Sequence, residues 1–470
     1  MKSKPQVDTS NQDLWSRRHF VRSSLGGVVS AAAAANLPLP TIHAGEKQKA
    51  AEKLSDSFRI FYTWDMSDPP RYHHKQIDGS YFDWLFAQLE GTGLTFLFRC
   101  NLAGRAYYHS KLMNPFDESA IDPHNPKALK MWRRVLNVLK ACDPLAEAVR
   151  AGRKYGVPVW AWSNWNELQS VRQGWLELTD PVWYQNPRKF WCTRDGSRFY
   201  HGVPDWGDED VRKRFVGLAE ESMGYGVEGF YLSSRTHSWN TCWPTPGWAD
   251  GLEPFGFNDS VVAAYRERYG VDIRYEDFDK EKWHHVKGDL YSELLALVGA
   301  AVHKHDKPFI LGIKPDRDNV MVLYPDRQKK IMDNIQLYKN WERWVAEGSV
   351  DGICAEQPCP HSPTITGGDI SLLKETLPST FPLYSWADTA TWVGGIDVPF
   401  SLHNWNRHSV EDVLKQIQVA RTAGAKGIVL HSLYHYTAVD SAGAYVGQRP
   451  AGYGAVPRTE YLDALRNLQG

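Results

Sequence analysis

No Cys-x-x-Cys pair occurs in this chain of 470 residues, although it holds six cysteines. That sets aside the paired-thiol zinc and redox motifs. There is no His-Glu-x-x-His, no His-x-His on a candidate strand, and no glycine-rich phosphate loop of the P-loop or dinucleotide type. An excess of one charge is missing too, with 54 Lys and Arg against 55 Asp and Glu. A nucleic-acid or polybasic membrane partner would need a basic surplus. Beyond the N-terminal region no stretch is apolar for long enough to span a bilayer. Neither repeats nor low-complexity tracts break the remainder.

What the chain does have is tryptophan, 20 residues of it, within an aromatic content of 13%. Indoles stack on sugar faces and also fill cores, so composition alone leaves both uses open. Many of these tryptophans fall in expected loops: Trp165, Trp175, Trp183, Trp191 and Trp206 in one, Trp239, Trp243 and Trp248 in another.

The first 44 residues read as a segment apart. Arg17-Arg18 precedes a small, weakly apolar stretch through Ala35, and Ile42-His43-Ala44 resembles a cleavage region. Basic, apolar and small-residue parts in that order form a twin-arginine export signal, which implies a periplasmic or extracellular protein. Residues 45–57 read as a polar linker. In an oxidising compartment the widely spaced cysteines could form one or two disulfides, Cys192 with Cys242 for instance, although spacing leaves the connectivity open.

From residue 58 onward, eight short apolar runs recur, most of them separated by helix-like stretches. They are Phe58–Trp64, Gly93–Arg99, Val157–Trp162, Val227–Leu232, Pro308–Lys314, Val350–Glu356, Phe381–Trp386 and Gly427–Tyr434. Near-continuous apolar strands alternating with helices imply a parallel sheet buried on both faces. Eight such units imply a (β/α)8 TIM barrel, a single α/β domain over 58–470 with long loops after its strands. Helices are expected at Tyr81–Glu90, Asp143–Tyr155, Val261–Tyr269, Asp289–His303, Gln328–Ala346 and Val410–Thr422, among others. Asp143 followed by Pro144 marks one start and Gly270 one end.

Barrels of this kind carry their chemistry at the C-terminal strand ends. Carboxylates found there are Glu356 after run six, Asp316 past run five, Asp388 past run seven and Asp65 past run one. Splitting a glycosidic bond needs two carboxyl groups, one to protonate the leaving oxygen and one to attack or to activate water. Glu356, Asp316 and Asp388 are therefore the catalytic candidates, with Glu356 as general acid/base, its carboxyl raised by apolar neighbours such as Ile353 and Trp386. Substrate-binding candidates are Asp65, Arg99, Arg235, His237, Lys314, His431 and Tyr434, with Trp64, Trp162 and Trp386 as stacking faces. The cations suit an acidic sugar, hold carboxylates ionised, or form internal salt bridges. His73-His74, His431 and His435 are too scattered to compose a metal site by spacing. No metal or cofactor is expected.

Four segments resemble the glycosyl-hydrolase-like barrel proteins of bacteria, the hypothetical or family-10-like group: Asn101 to Lys111, Asp205 to Arg212, Gly229 to Ser238 and Gly256 to Asp272. The resemblance implies the barrel fold and action on carbohydrate. In that group strand four commonly ends in Leu-Asp followed by Arg; here Ser233 and Ser234 follow Leu232. The expected function is an exported glycoside hydrolase acting on a poly- or oligosaccharide. A carbohydrate-binding barrel that has lost the strand-four carboxylate and a metal-dependent hydrolase or lyase using His431 and His435 are the alternatives.

Overall fold

The computed structural model describes residues 58–65, 77–102, 104–117, 126–166, 180–197, 199–234, 255–313, 315, 322–324, 329–331, 337–356, 370–388, 390–393, 404–407, 409–431 and 459–468. The export signal, the linker and Cys242 lie outside them.

Eight parallel strands close into a barrel in sequential order: β1 (Arg59–Trp64), β2 (Leu94–Arg99), β3 (Val159–Asn164), β4 (Phe230–Ser233), β5 (Phe309–Ile313), β6 (Gly352–Ala355), β7 (Leu383–Asp388) and β8 (Gly427–His431), with β8 pairing back onto β1. Each expected run overlaps its strand, with β3, β4 and β7 extending one or two residues past their runs, and the register is continuous around the ring. The alternation of side chains along each strand divides the molecule into two apolar layers. Phe61, Leu97, Trp160, Trp162, Tyr231, Ile310, Cys354, Tyr384, Trp386 and Val429, all fully buried, form one separate cluster. They come from all eight strands and fill the barrel interior. Their neighbours of opposite phase, such as Ile60, Tyr62, Phe96 and Phe98, join the larger cluster between sheet and helices. Trp160 fills its layer so closely that a Cβ on Gly229 would lie 2.5 Å from the indole.

Local signals account for the helices. In α1 (Gly79–Leu89), Tyr81, Phe82, Leu85, Phe86 and Leu89 are buried, and Asp78 caps the start through Ser80 N–H. α2 (Pro126–Ala141) is followed by α3 (Pro144–Tyr155), which starts where expected, with Asp143 accepting from the Leu145 and Ala146 amides. α4 (Glu209–Gly224) is capped by Asp208. α5 (Asp259–Tyr269) ends on Gly270 at φ 73°, a left-handed residue suited to glycine. Apart from the short turns Pro181–Tyr184 and Pro187–Lys189, the remaining helices among the described residues are α6 (Lys280–His303), α7 (Trp341–Ala346), α8 (Ser371–Thr376), α9 (Val410–Thr422) and α10 (Thr459–Asn467).

Two expectations need correction. α6 begins at Lys280, nine residues before the expected Asp289, because Asp279 accepts from the Glu281 and Lys282 amides. Gly288 sits within it, where a Cβ would lie 2.1 Å from the Tyr338 carbonyl oxygen. Of the helix expected over Gln328–Ala346, the described residues form α7, whose start Asn340 caps through Arg343 N–H, and Lys329–Ile331 is instead a strand antiparallel to Val322–Tyr324. The Arg194-Asp195-Gly196-Ser197 turn joins Phe190–Cys192 to Phe199–Pro204 in an antiparallel pair. Cys192 and Cys100 are free, buried thiols, and Cys354 is buried in the barrel interior. Among the described residues no helix is long and apolar enough to cross a membrane.

The N-terminal ends of β5 and β6 are tied by buried hydrogen bonds to one carboxylate. Asp351 Oδ2, just before β6, lies 2.7 Å from His303 Nε2 at the end of α6 and accepts from Phe309 N–H of β5 at 2.8 Å. Removing that carboxylate leaves the His303 ring nitrogen and Phe309 N–H without their acceptor. Asp351→Ala should lower stability by about 1–3 kcal/mol for each donor left unsatisfied, measured by denaturant unfolding.

A second buried carboxyl makes stability depend on pH. Asp205 is 5% exposed and accepts from Ser260 Oγ at 2.5 Å and Gly207 N–H at 3.1 Å. Burial pushes its carboxyl up from 3.8 to about 6 despite those donors. The folded state therefore holds the proton more tightly than the unfolded chain, and stability is lost as pH rises through that range. Asp205→Asn keeps an acceptor without the charge. Between about pH 4 and pH 7, wild type should lose about 3 kcal/mol relative to this variant, read from paired unfolding curves.

Candidate active site

Following the interior phase of each strand to its C-terminal tip gives the residues that meet at the barrel mouth: Thr63 on β1 and Asp65 just past it, Arg99 on β2, Trp162 and Asn164 on β3, Tyr231 and Ser233 on β4, Gly312 on β5, Glu356 past β6, Trp386 on β7, and His431 on β8.

Glu356 is 1% exposed. Its amide continues the β5–β6 ladder by donating to Ile313 O at 2.8 Å, which fixes the backbone at the strand tip. Its carboxylate receives two hydroxyls from β4: Tyr231 Oη donates to Oε1 at 2.8 Å and Ser233 Oγ donates to Oε2 at 2.9 Å. The Tyr231 phenol is held well above its usual range, first by burial and then by Cys354 and Glu356, so it remains a donor at ordinary pH. Gly312 makes room between them. A Cβ there would lie 2.3 Å from Glu356 Oε1 and 2.4 Å from Tyr231 Oη.

Across the mouth, Asp65 and Arg99 form a buried ion pair. Arg99 Nε also donates to Asn101 O at 3.0 Å, and the guanidinium lies 5.1 Å from the Trp162 ring centroid. The Asn101 side chain bridges to β3, donating to Asn164 O at 2.7 Å and accepting from Asn164 N–H at 3.0 Å. Trp162 and Trp386 sit edge to face at 5.8 Å, and Tyr231 stands 6.2 Å from Trp386. An unbroken aromatic series thus joins the Arg99 side to the Glu356 side. His431, partly exposed, packs 5.2 Å from Trp386 and places Nδ1 2.8 Å from Thr63 Oγ1.

The structure brings together Glu356, Asp65, Arg99, Trp162, Trp386 and His431 from the expected set. Asp388 pairs with His431 in the β7–β8 register, and its backbone alone is described. Asp316, Lys314, Arg235, His237 and Tyr434, with His73, His74 and His435, lie outside the described residues.

Trp64 is a correction. It is one residue out of phase with Thr63 and Asp65, and its ring stacks on Phe98 at 5.0 Å and packs on Phe82 of α1 at 5.5 Å, in the helix-facing layer. Ile353 is likewise in that outer layer, whereas Cys354 faces the barrel interior. The described loop tryptophans also pack inward: Trp165 on Phe215 at 4.4 Å, Trp183 on Phe190 at 5.8 Å, and Trp191 on Trp206 at 4.8 Å. Tyr231, Thr63 and Gly312 were not among the expected site residues. Period-two counting back from Ser233 would have reached Tyr231. Among the described residues no three His, Cys, Asp or Glu side chains gather as metal ligands.

No protein-family model matches the chain, and no curated protein matches it. Among solved structures it is similar to the catalytic domain of β-amylase from Paenibacillus polymyxa, at 12% identity over 88% of this chain and 99% of that one, with TM-score 0.46. It is similar to the PgaB glycoside hydrolase domain from Bordetella bronchiseptica, at 10% identity over 84% and 100%, with TM-score 0.44. It is also similar to Old Yellow Enzyme from Pichia sp. AKU4542, at 10% identity over 88% and 83%, with TM-score 0.39. Likeness at this level assigns no chemistry, and the barrel stands on the chain's own strand order.

Proposed function

We propose that the chain is an exported glycoside hydrolase acting on a poly- or oligosaccharide at the C-terminal mouth of its barrel. The observation that carries this reading is Glu356, a fully buried carboxylate at a strand tip with a hydroxyl donor on each oxygen. A buried carboxyl is costly unless it is paired or used. Donors on both oxygens stabilise the ionised form against the cost of burial, and that form suits attack on the anomeric carbon or activation of water. Of the acid/base role expected from the sequence, this uses the base. The proton for the leaving oxygen then comes from a second carboxyl, with Asp388 and Asp316 as candidates from the adjacent strands. Trp162, Trp386 and His431 form the floor and wall beneath the sugar, and the Asp65–Arg99 pair fixes the far rim. The Arg17-Arg18 region supports export by the twin-arginine route to the periplasm or beyond.

Ser233 favours a second reading. The strand-four tip, where the resembling group has Asp, carries a hydroxyl that serves Glu356, as expected of a barrel that binds glycan without cleaving it. Incubation of the purified chain with a panel of oligosaccharides, followed by chromatography of products, separates the two. Product release that disappears in Glu356→Gln fits the hydrolase. Glycan binding without release fits the binding barrel. Release at equal rates by both proteins contradicts the role given to Glu356.

A further inference from the structure

We infer that Ser234, just past the tip of β4, is a positioning residue that sets where Glu356 stands by pinning the Gly312 carbonyl. This rests on the role proposed above for Glu356 and accounts for the second serine of the Ser233-Ser234 pair. Ser233 reaches the carboxylate itself. Ser234 acts one step back. It is 5% exposed, and its N–H donates to Gly312 O at 2.8 Å, continuing the β4–β5 ladder. Its Oγ donates to the same oxygen at 2.6 Å. Its own carbonyl accepts from Asn166 Nδ2, past β3, at 2.9 Å. One residue therefore joins the ends of three neighbouring strands, β3, β4 and β5, and doubles the bond on a single carbonyl.

That carbonyl belongs to the residue whose backbone is the wall for both Glu356 and Tyr231, since a Cβ on Gly312 would meet Oε1 of the one and Oη of the other. β5 ends at Ile313, one residue on, so the paired bonds from Ser234 close its ladder with β4. In a close-packed interior a shift of this backbone passes to the groups leaning on it. Tyr291 of α6 closes the corner from the helix side. Burial pushes its phenol above the usual range, the neighbouring Ser234 hydroxyl opposes that, and Glu356 adds to it. Ser234, Tyr291 and Glu356 thus share one electrostatic neighbourhood. Alanine at 234 would keep the ladder bond from N–H and lose only the second bond, so the barrel should stay folded while its β5 tip loosens.

The test is infrared titration of the full chain, following the carboxyl band that Glu356→Gln removes. The midpoint of that band is the pH at which Glu356 takes a proton. Ser234→Ala should move the midpoint up by about one pH unit, because looser hydroxyl contacts stabilise the ionised form less. It should also lower kcat about tenfold. Ser234→Thr keeps the hydroxyl and should restore both. Ser222→Ala removes a different buried hydroxyl bond, to Leu218 O within α4, and should move neither. Added to Tyr231→Phe, Ser234→Ala should contribute less than its own shift, since both act through the same contact. An unmoved midpoint in Ser234→Ala, an equal shift in Ser234→Thr or Ser222→Ala, or full additivity with Tyr231→Phe would each overturn the proposal. If wild type cleaves no glycan, the hydrolase reading falls, and the infrared midpoints still decide the role of Ser234.

Discussion

Gly312→Ala should cut turnover about a hundredfold while leaving the barrel folded. The added methyl would sit 2.3 Å from Glu356 Oε1, 2.4 Å from Tyr231 Oη and 2.6 Å from Glu356 Cδ. Distances below 3.0 Å force one partner to move. The backbone of β5 is held on both sides by β4 and β6, so the carboxylate and the phenol are what shift. Displacing them by about 1 Å breaks the two hydroxyl contacts and misaligns the reacting oxygen. Overpacking should also lower stability by about 1–3 kcal/mol. Steady-state kinetics with a thermal unfolding curve separates the two effects: kcat falls far more than the population of folded protein. A variant with full activity would mean that Glu356 need not stay where Tyr231 and Ser233 hold it.

Glu356→Gln should lower kcat by about a thousandfold or more with little change in KM. The amide is nearly isosteric and can still accept on its oxygen, but it cannot attack or take a proton. Its NH2 would face one of the two hydroxyls, which must then turn to accept. Ser233 can do so by rotating about its Cβ–Oγ bond, so the fold should survive. Circular dichroism and retained glycan binding, alongside single-turnover kinetics, distinguish lost chemistry from lost structure.

The barrel was legible in the sequence because burial on both faces leaves a simple mark. Strands such as Phe309–Ile313 and Gly427–His431 have few polar residues to misplace, and caps such as Asp143 and Gly270 mark where helices begin and end. Phase was the weak point. Trp64 looked suited to a sugar because it closes a strand, yet its neighbours Thr63 and Asp65 carry the interior phase and Trp64 faces α1. The same alternation, applied from Leu97 to Arg99 or from Trp160 to Trp162, gives the mouth correctly. Glu356 was legible as a costly group at a buried strand end. Its donors were not, because Tyr231 read as one more apolar residue of its run and Gly312 has no side chain to read. That glycine matters only through what two other strands place beside it. The loop tryptophans show the limit of composition: Trp165, Trp183 and Trp191 serve packing, which their number could not reveal.

The most direct measurement is the pH dependence of kcat/KM for Tyr231→Phe beside wild type. If Glu356 works as an ionised carboxylate sustained by donated hydroxyls, removing one donor makes that form harder to reach. The acidic limb of the profile should then move to higher pH, with the alkaline limb unchanged and the fold intact. An acidic limb that stays where wild type has it, at undiminished rate, would contradict the account.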